Sequence, residues 1–126
     1  MSVAATRYPR ALRLLKPADF QRVFKGARYK SGDRYLTVLA RPNGLGHPRL
    51  GMAISIRNAG NAVARNRVKR VIRECFRHSQ AQLDSLDLVI VGRAGIATRS
   101  NRQLVESLQH HWQKITDHAQ TDVIDD

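Results

Sequence analysis

The chain has one cysteine, Cys75, in 126 residues. That excludes an internal disulfide framework and makes a reducing, cytoplasmic setting the expectation. No apolar run approaches the ~18 residues that a membrane span needs. The opening MSVAATRYPR lacks the apolar stretch of an export signal, so no targeting segment or membrane partner is expected. There is no internal repeat and no low-complexity segment. Acid is scarce where a nuclease centre would need it: only Asp19, Asp33 and Glu74 precede residue 84. Three scattered carboxylates do not assemble a metal-carboxylate site. His110 and His111, being adjacent, point to different sides of a helix and cannot chelate together, and Cys75 with a histidine makes a poor zinc set. GLGHPRLG has glycines without the spacing of a dinucleotide loop. No catalytic residue and no metal-ligand set is expected in the protein.

What the chain does have is positive charge, unevenly placed. The net charge is +12 with a pI near 11.2. Residues 1–77 hold 18 of the 22 lysines and arginines and 3 of the 10 acids, a net of +15, whereas residues 78–126 carry a net of −3. A field so lopsided concentrates a polyanion against one part of the surface. Nucleic acid is the leading partner, because no helix sets exposed Trp, Phe and Leu opposite its lysines as a membrane-surface helix would. The hydrophobic fraction of 42% supports one packed domain over residues 1–126.

Along the chain, residues 1–12 read as a flexible basic arm. KPADFQRVFKGA reads as a helix, with Pro17 suited to the first position, Asp19 in the first turn, and Phe20, Val23, Phe24 and Ala27 at helical spacing. Arg34–Arg41 (RYLTVLAR) and Arg49–Ser55 (RLGMAIS) read as strands, joined through the turn-rich PNGLGHP as a hairpin. In the second strand Leu50, Met52 and Ile54 share one face. Gly51, Ala53 and Ser55 share the other, a small face suited to close approach or a cleft wall. A short extra strand is expected near residues 28–31. DLVIVGR, Asp87–Arg93, is continuously apolar and fits a strand buried on both faces. Ser100 with Gln103 matches a capping box for a last helix whose stripe is Leu104, Val105, Leu108, Trp112 and Ile115. Residues 117–126 read as a flexible acidic tail.

The segment ARNRVKRVIRECFR, Ala64–Arg77, carries six basic residues, five of them arginine, and one acid. At about 100° per residue, Ala64, Val68, Val71, Ile72, Cys75 and Phe76 fall in one arc of about 140°, wide enough for a core face. Cys75 is therefore read as a small core residue. Arg65, Lys69, Arg73 and Arg77 recur every fourth residue as a ridge beside that arc. Arg70 extends the band, Arg67 sits towards the far side, and Asn61 can cap the helix. A solvated face would mix signs. Arginines in this excess favour planar, bidentate phosphate contacts.

These residues resemble a known family, the protein subunit of bacterial ribonuclease P. The shared features are the RNR motif at 65–67 followed by Lys69-Arg70 and Arg73. Around it, LLKPADFQRVFKGAR, GHPRLGMAIS, DLVIVGR and LVESLQHHW fall in the family's order over most of the chain. Where the family commonly has two adjacent basic residues after the central strand, this chain has Ile56 and Arg57. The resemblance implies an α+β fold, an α/β sandwich in α-β-β-β-α-β-α order similar to the second domain of ribosomal protein S5. It also implies a left-handed β-α-β crossover, where the general rule would give a right-handed one. The implied function is a non-catalytic, cytoplasmic subunit of a ribonucleoprotein. That enzyme's RNA holds catalytic Mg2+, and the enzyme removes the 5′ leader of precursor tRNA. The RNA-facing set would be Arg57, Arg65, Asn66, Arg67, Lys69, Arg70 and Arg73. The leader cleft would use Phe20, Phe24 and Ser55. On the residues alone, Phe20 and Phe24 fit core packing as well. A ribosomal or general RNA-binding protein, or a DNA-binding module, would share the basic helix.

Overall fold

The computed structural model describes residues 9–125. Four strands form one sheet: β1 (Tyr29–Gly32), β2 (Leu36–Pro42), β3 (Arg49–Ala53) and β4 (Leu86–Gly92), in the order β1-β2-β4-β3. Among the described residues five α-helices accompany it: α1 (Pro17–Gly26), α2 (Ile56–Ala59), α3 (Ala62–His78), α4 (Gln80–Leu83) and α5 (Asn101–Asp125).

The helix at 17–26, the short extra strand and the basic helix form where the sequence places them. The hairpin does not. β2 and β3 are not neighbours, because β4 lies between them, antiparallel to β2 (Val38 opposite Ile90) and parallel to β3 (Leu50 opposite Leu88). The cause is the apolar run itself. Leu86, Leu88, Val89 and Ile90 are all buried, and an interior place covers both faces of such a strand. The hairpin in this sheet is β1–β2. Its turn is set by Asp33, whose Oδ1 accepts from the backbone N–H groups of Tyr35 at 2.7 Å and Leu36 at 3.1 Å. Since β3 and β4 are adjacent and parallel, α2, α3 and α4 form a β-α-β crossover.

One charge sits inside the sheet. Asp87 is 2% exposed. Arg49 clamps it with two parallel bonds of 2.8 and 2.7 Å, and Asn43 adds a third at 2.9 Å. The fork-to-carboxylate geometry compensates the lost hydration.

The two sheet faces differ. α3 and α5 cover one, where Val68, Ile72, Phe76, Leu104, Leu108 and Trp112 pack on Val38, Leu50, Leu88 and Ile90. Cys75 belongs to this core and accepts a bond from the Trp112 indole N–H at 3.3 Å; burial raises its thiol pKa. Among the described residues, α1 and Leu14 just before it cover the other face, with Val23, Leu14 and Val89 at its centre and Phe20, Leu39, Ala53 and Val91 half-buried around them.

At the ends, residues 1–8 lie outside the described residues. Arg10–Leu12 form a 3-10 turn with Leu12 buried, and the Leu14 N–H donates to the Leu50 carbonyl at 3.0 Å. The last part of the expected basic arm is thus built onto β3 by two leucines. The capping box forms in both directions (Ser100 N to Gln103 Oε1, 2.9 Å; Gln103 N to Ser100 Oγ, 3.1 Å). α5 then continues to Asp125.

α5 is latched to the β1–β2 turn by a partly buried polar network. His111 is 2% exposed. It bonds Ser31 Oγ through Nδ1 at 2.6 Å and Asp33 Oδ2 through Nε2 at 3.1 Å, while the Ser107 hydroxyl donates to the same Oδ2 at 2.7 Å. The serine-histidine-aspartate series has no nucleophilic use, since Ser31 is only 5% exposed. Burial alone would raise the Asp33 pKa. The bonds from Ser107, the Tyr35 N–H, His111 and the Leu36 N–H outweigh it and hold the carboxyl at about 2. The group is depressed below its ordinary 3.8, so its stabilisation is present above that value and is lost as pH falls towards 2. With the side chain 38% exposed, solvent screening leaves on the order of 1 kcal/mol. Asp33→Asn is therefore expected to lower the urea midpoint at neutral pH, and the gap from the parent should close near pH 2. A gap independent of pH would show that the carboxylate charge is not what the latch uses.

Candidate nucleic-acid interface

The basic helix is positioned by its entry. Ser55 Oγ caps α2 by accepting from the Asn58 N–H at 3.0 Å. Gly60 turns the chain at φ 103°, a conformation that suits glycine. Asn61 Oδ1 then caps α3 by accepting from the Ala64 N–H at 2.8 Å. The elbow is tied to the end of β4 by the Asn58 side chain, which donates to the Gly92 carbonyl at 3.0 Å. Asn58 was not singled out in the sequence, because its role depends on a strand 34 residues away.

Val68, Val71, Ile72, Cys75 and Phe76 bury one side of α3. The same rotation leaves Arg65, Asn66, Lys69, Arg70 and Arg73 on its accessible side, with Arg57 exposed on α2 just before it. Arg65 is braced by its Nε–H, which donates to the Ile54 carbonyl at 2.8 Å. Glu74, the one acid on α3, pairs with Arg77 at 2.8 Å and approaches His78 at 3.7 Å. Among the described residues, Arg57, Arg65, Lys69, Arg70 and Arg73 have no carboxylate within 4 Å. Partial burial, and then the charges of Arg65 and Arg73, push the Lys69 ammonium below its usual pKa. Apart from Arg77, which Glu74 pairs, the ridge is thus a set of uncompensated cations that repel one another, and a polyanion lying along it removes that repulsion.

Arg67 has protein partners that its neighbouring cations lack. Its guanidinium turns inward and donates to Asn101 Oδ1 at 2.6 Å and to the carbonyls of Ala97 at 2.8 Å and Arg99 at 3.1 Å. It fastens α3 to the start of α5. The helical wheel places Arg67 away from the ridge but cannot show that three acceptors meet it there.

On the opposite sheet face, the small side of β3 receives α1. A Cβ built on Gly51 would lie 2.7 Å from the tip of the Phe20 ring and 3.2 Å from Leu14 Cβ, so glycine is what lets Phe20 seat on the strand. Phe20 is half-buried there, whereas Phe24, one turn on, is 43% exposed. Phe20 is half-buried against β3, and Phe24 is presented to solvent. Half-buried Leu39, Ala53 and Val91 continue the open apolar floor beside α1. Leu39 and Val91 were missed because a continuous apolar run hides which face each residue takes. Ser55, expected within the strand, lies two residues past its end at the N-cap of α2, where it spends an oxygen lone pair on the cap but keeps a hydroxyl donor. Arg57 and the α3 set are brought together; Phe20 and Phe24 belong to the other face. Among the described residues, no group of three His, Cys, Asp or Glu side chains could hold a metal ion, and no helix is long and apolar enough to cross a membrane.

The family model for ribonuclease P matches residues 8–116. The chain belongs to the ribonuclease P protein family. It is 46% identical over 109 residues to the ribonuclease P protein component of Methylococcus capsulatus, covering 86% of this chain and 84% of that protein. Its identity to that of Idiomarina loihiensis is 44% over 108 residues, 86% of each chain. Among solved structures, the RNase P protein of Staphylococcus aureus superposes with a TM-score of 0.77 at 33% identity, over 85% of this chain and 99% of that one. That of Thermotoga maritima gives 0.68 at 30%, over 78% and 92%. The α+β sandwich, with its sheet and its crossover through the basic helix, is the fold of this family.

Proposed function

We propose that this chain is the RNA-binding protein subunit of ribonuclease P, acting in the cytoplasm. In this reading it holds the catalytic RNA along α3 and the 5′ leader of precursor tRNA in the open face beside α1. The observation that carries it is the uncompensated ridge of Arg65, Lys69, Arg70 and Arg73, joined by Arg57 and Asn66, on a family member with few acids to oppose RNA. Charge-assisted bonds from arginine to phosphate are short and two-pronged, so the ridge sets register as well as affinity. On the cleft side, leaders of differing sequence can be held alike, because every base offers a π face to Phe24. The chemistry, with its Mg2+, is assigned to the RNA. This chain's residues bind, orient and neutralise charge, and no protein group acts as nucleophile or general base.

Phe24→Ala in the reconstituted complex is expected to weaken binding of precursor tRNA by about 1 kcal/mol, the lower end of base-aromatic stacking. Mature tRNA, which lacks the leader, should bind as before. Equal losses for both RNAs would place the leader elsewhere. Binding indifferent to the 5′ extension even in the parent protein would favour a ribosomal or general RNA-binding role.

A further inference from the structure

Beyond α3, a second arginine cluster surrounds one aromatic ring. Tyr35 stands one residue before β2, half-buried, with its backbone fixed by bonds to Asp33 Oδ1 and from the Arg93 N–H. The Arg99 guanidinium lies 4.7 Å from the ring centroid and that of Arg34 lies 5.7 Å from it. Among the described residues, neither has a carboxylate within 4 Å. The acids nearby are already engaged: Asp33 by Ser107, His111 and two backbone N–H groups, and Glu106 by Arg102 at 3.5 Å. A guanidinium stacked on a ring keeps its edge N–H groups free to donate in its own plane. The cluster is also joined to α3, because Arg67 bonds the Arg99 carbonyl at 3.1 Å.

We propose that Arg34 and Arg99, held about Tyr35, form a second phosphodiester-binding surface that carries the RNA interface past the end of β4. The ligand is RNA backbone, from either the catalytic RNA or the precursor. It lies against the Tyr35 ring, since the recess of about 470 Å3 that Arg99 also lines contains the Asp33 and Glu106 carboxylates. This rests on the reading of α3 as an RNA surface and is tested beside it.

The experiment measures the salt dependence of binding to the catalytic RNA alone and to precursor tRNA in the reconstituted complex. It compares the parent, Arg34→Gln/Arg99→Gln, exposed Arg34→Gln by itself, and an α3 variant, Arg70→Ala. With two phosphates lost, the slope of log K against log salt should flatten by roughly 1–2 for the RNA that occupies the patch. Affinity at physiological salt should fall about 10-fold, and the single Arg34 variant should show about half the slope change with an unaltered melting temperature. The arm that responds identifies the RNA. Slopes unchanged in both arms, while Arg70→Ala flattens its own, overturn the patch and leave the α3 interface standing. Slopes unchanged in every variant overturn both.

Discussion

Replacing Lys69, Arg70 and Arg73 together by alanine is expected to weaken binding of the catalytic RNA by on the order of 100-fold or more, at about 1–1.5 kcal/mol for each lost charge-assisted contact. The slope of log K against log salt should flatten by roughly 2–3, since each neutralised phosphate contributes ~0.7–0.9. The reason lies in what surrounds these side chains. Glu74 is already paired with Arg77, so the ridge has no internal counter-charge among the described residues. Stability should not fall with affinity. Arg70 is exposed and Arg73 half-exposed, and Lys69 is pushed down in pKa by partial burial and by its arginine neighbours, so removing the charges relieves repulsion. Melting at or slightly above the parent temperature, together with the flattened slope, is the expected pair of results. An unchanged slope would place the RNA on another surface.

Arg67→Ala is expected to do the reverse. Its guanidinium satisfies two backbone carbonyls and the Asn101 side chain, and it bridges α3 to the start of α5. Truncation leaves those acceptors to rearrange and should cost about 2–3 kcal/mol. That corresponds to a fall in melting temperature of roughly 8–12 °C for a domain of this size. Arg67→Lys should recover little, because a single ammonium cannot reach acceptors set for a planar fork. Once corrected for the folded fraction, RNA affinity should drop far less than in the ridge triple, with the salt slope changed by less than about one unit. Full thermal stability with a ridge-sized loss of affinity would place Arg67 in the RNA-facing set.

The contrast between these arginines marks how far the sequence reaches. Helical periodicity separates the core arc of α3 from its ridge, since both follow from rotation about one axis; of the six arc residues, Val68, Val71, Ile72, Cys75 and Phe76 are buried, and Ala64, in the first turn, is half-buried. Local capping is equally legible: Asn61, Ser100 and Gln103 act within three residues of themselves. What is not legible is pairing at a distance. Arg67 looks like its neighbours until Asn101 and two carbonyls about 30 residues away meet it. The hairpin expected between β2 and β3 rested on proximity in the chain, and it fails because β4 needs burial on both faces and takes the place between them. Phe20 and Phe24 share one helical spacing, and only the approach of Gly51 to Phe20 tells them apart.

The most direct measurement of a binding-only role is single-turnover cleavage of precursor tRNA at near-physiological salt with Mg2+, comparing the protein alone, the cognate catalytic RNA alone, and the two together. The expected result is no cleavage by the protein alone, slow cleavage by the RNA, and fast removal of the 5′ leader by the mixture, with the gain lost in the Lys69, Arg70 and Arg73 triple variant. Leader removal by the purified protein without RNA, or a mixture no faster than the RNA alone, would contradict it.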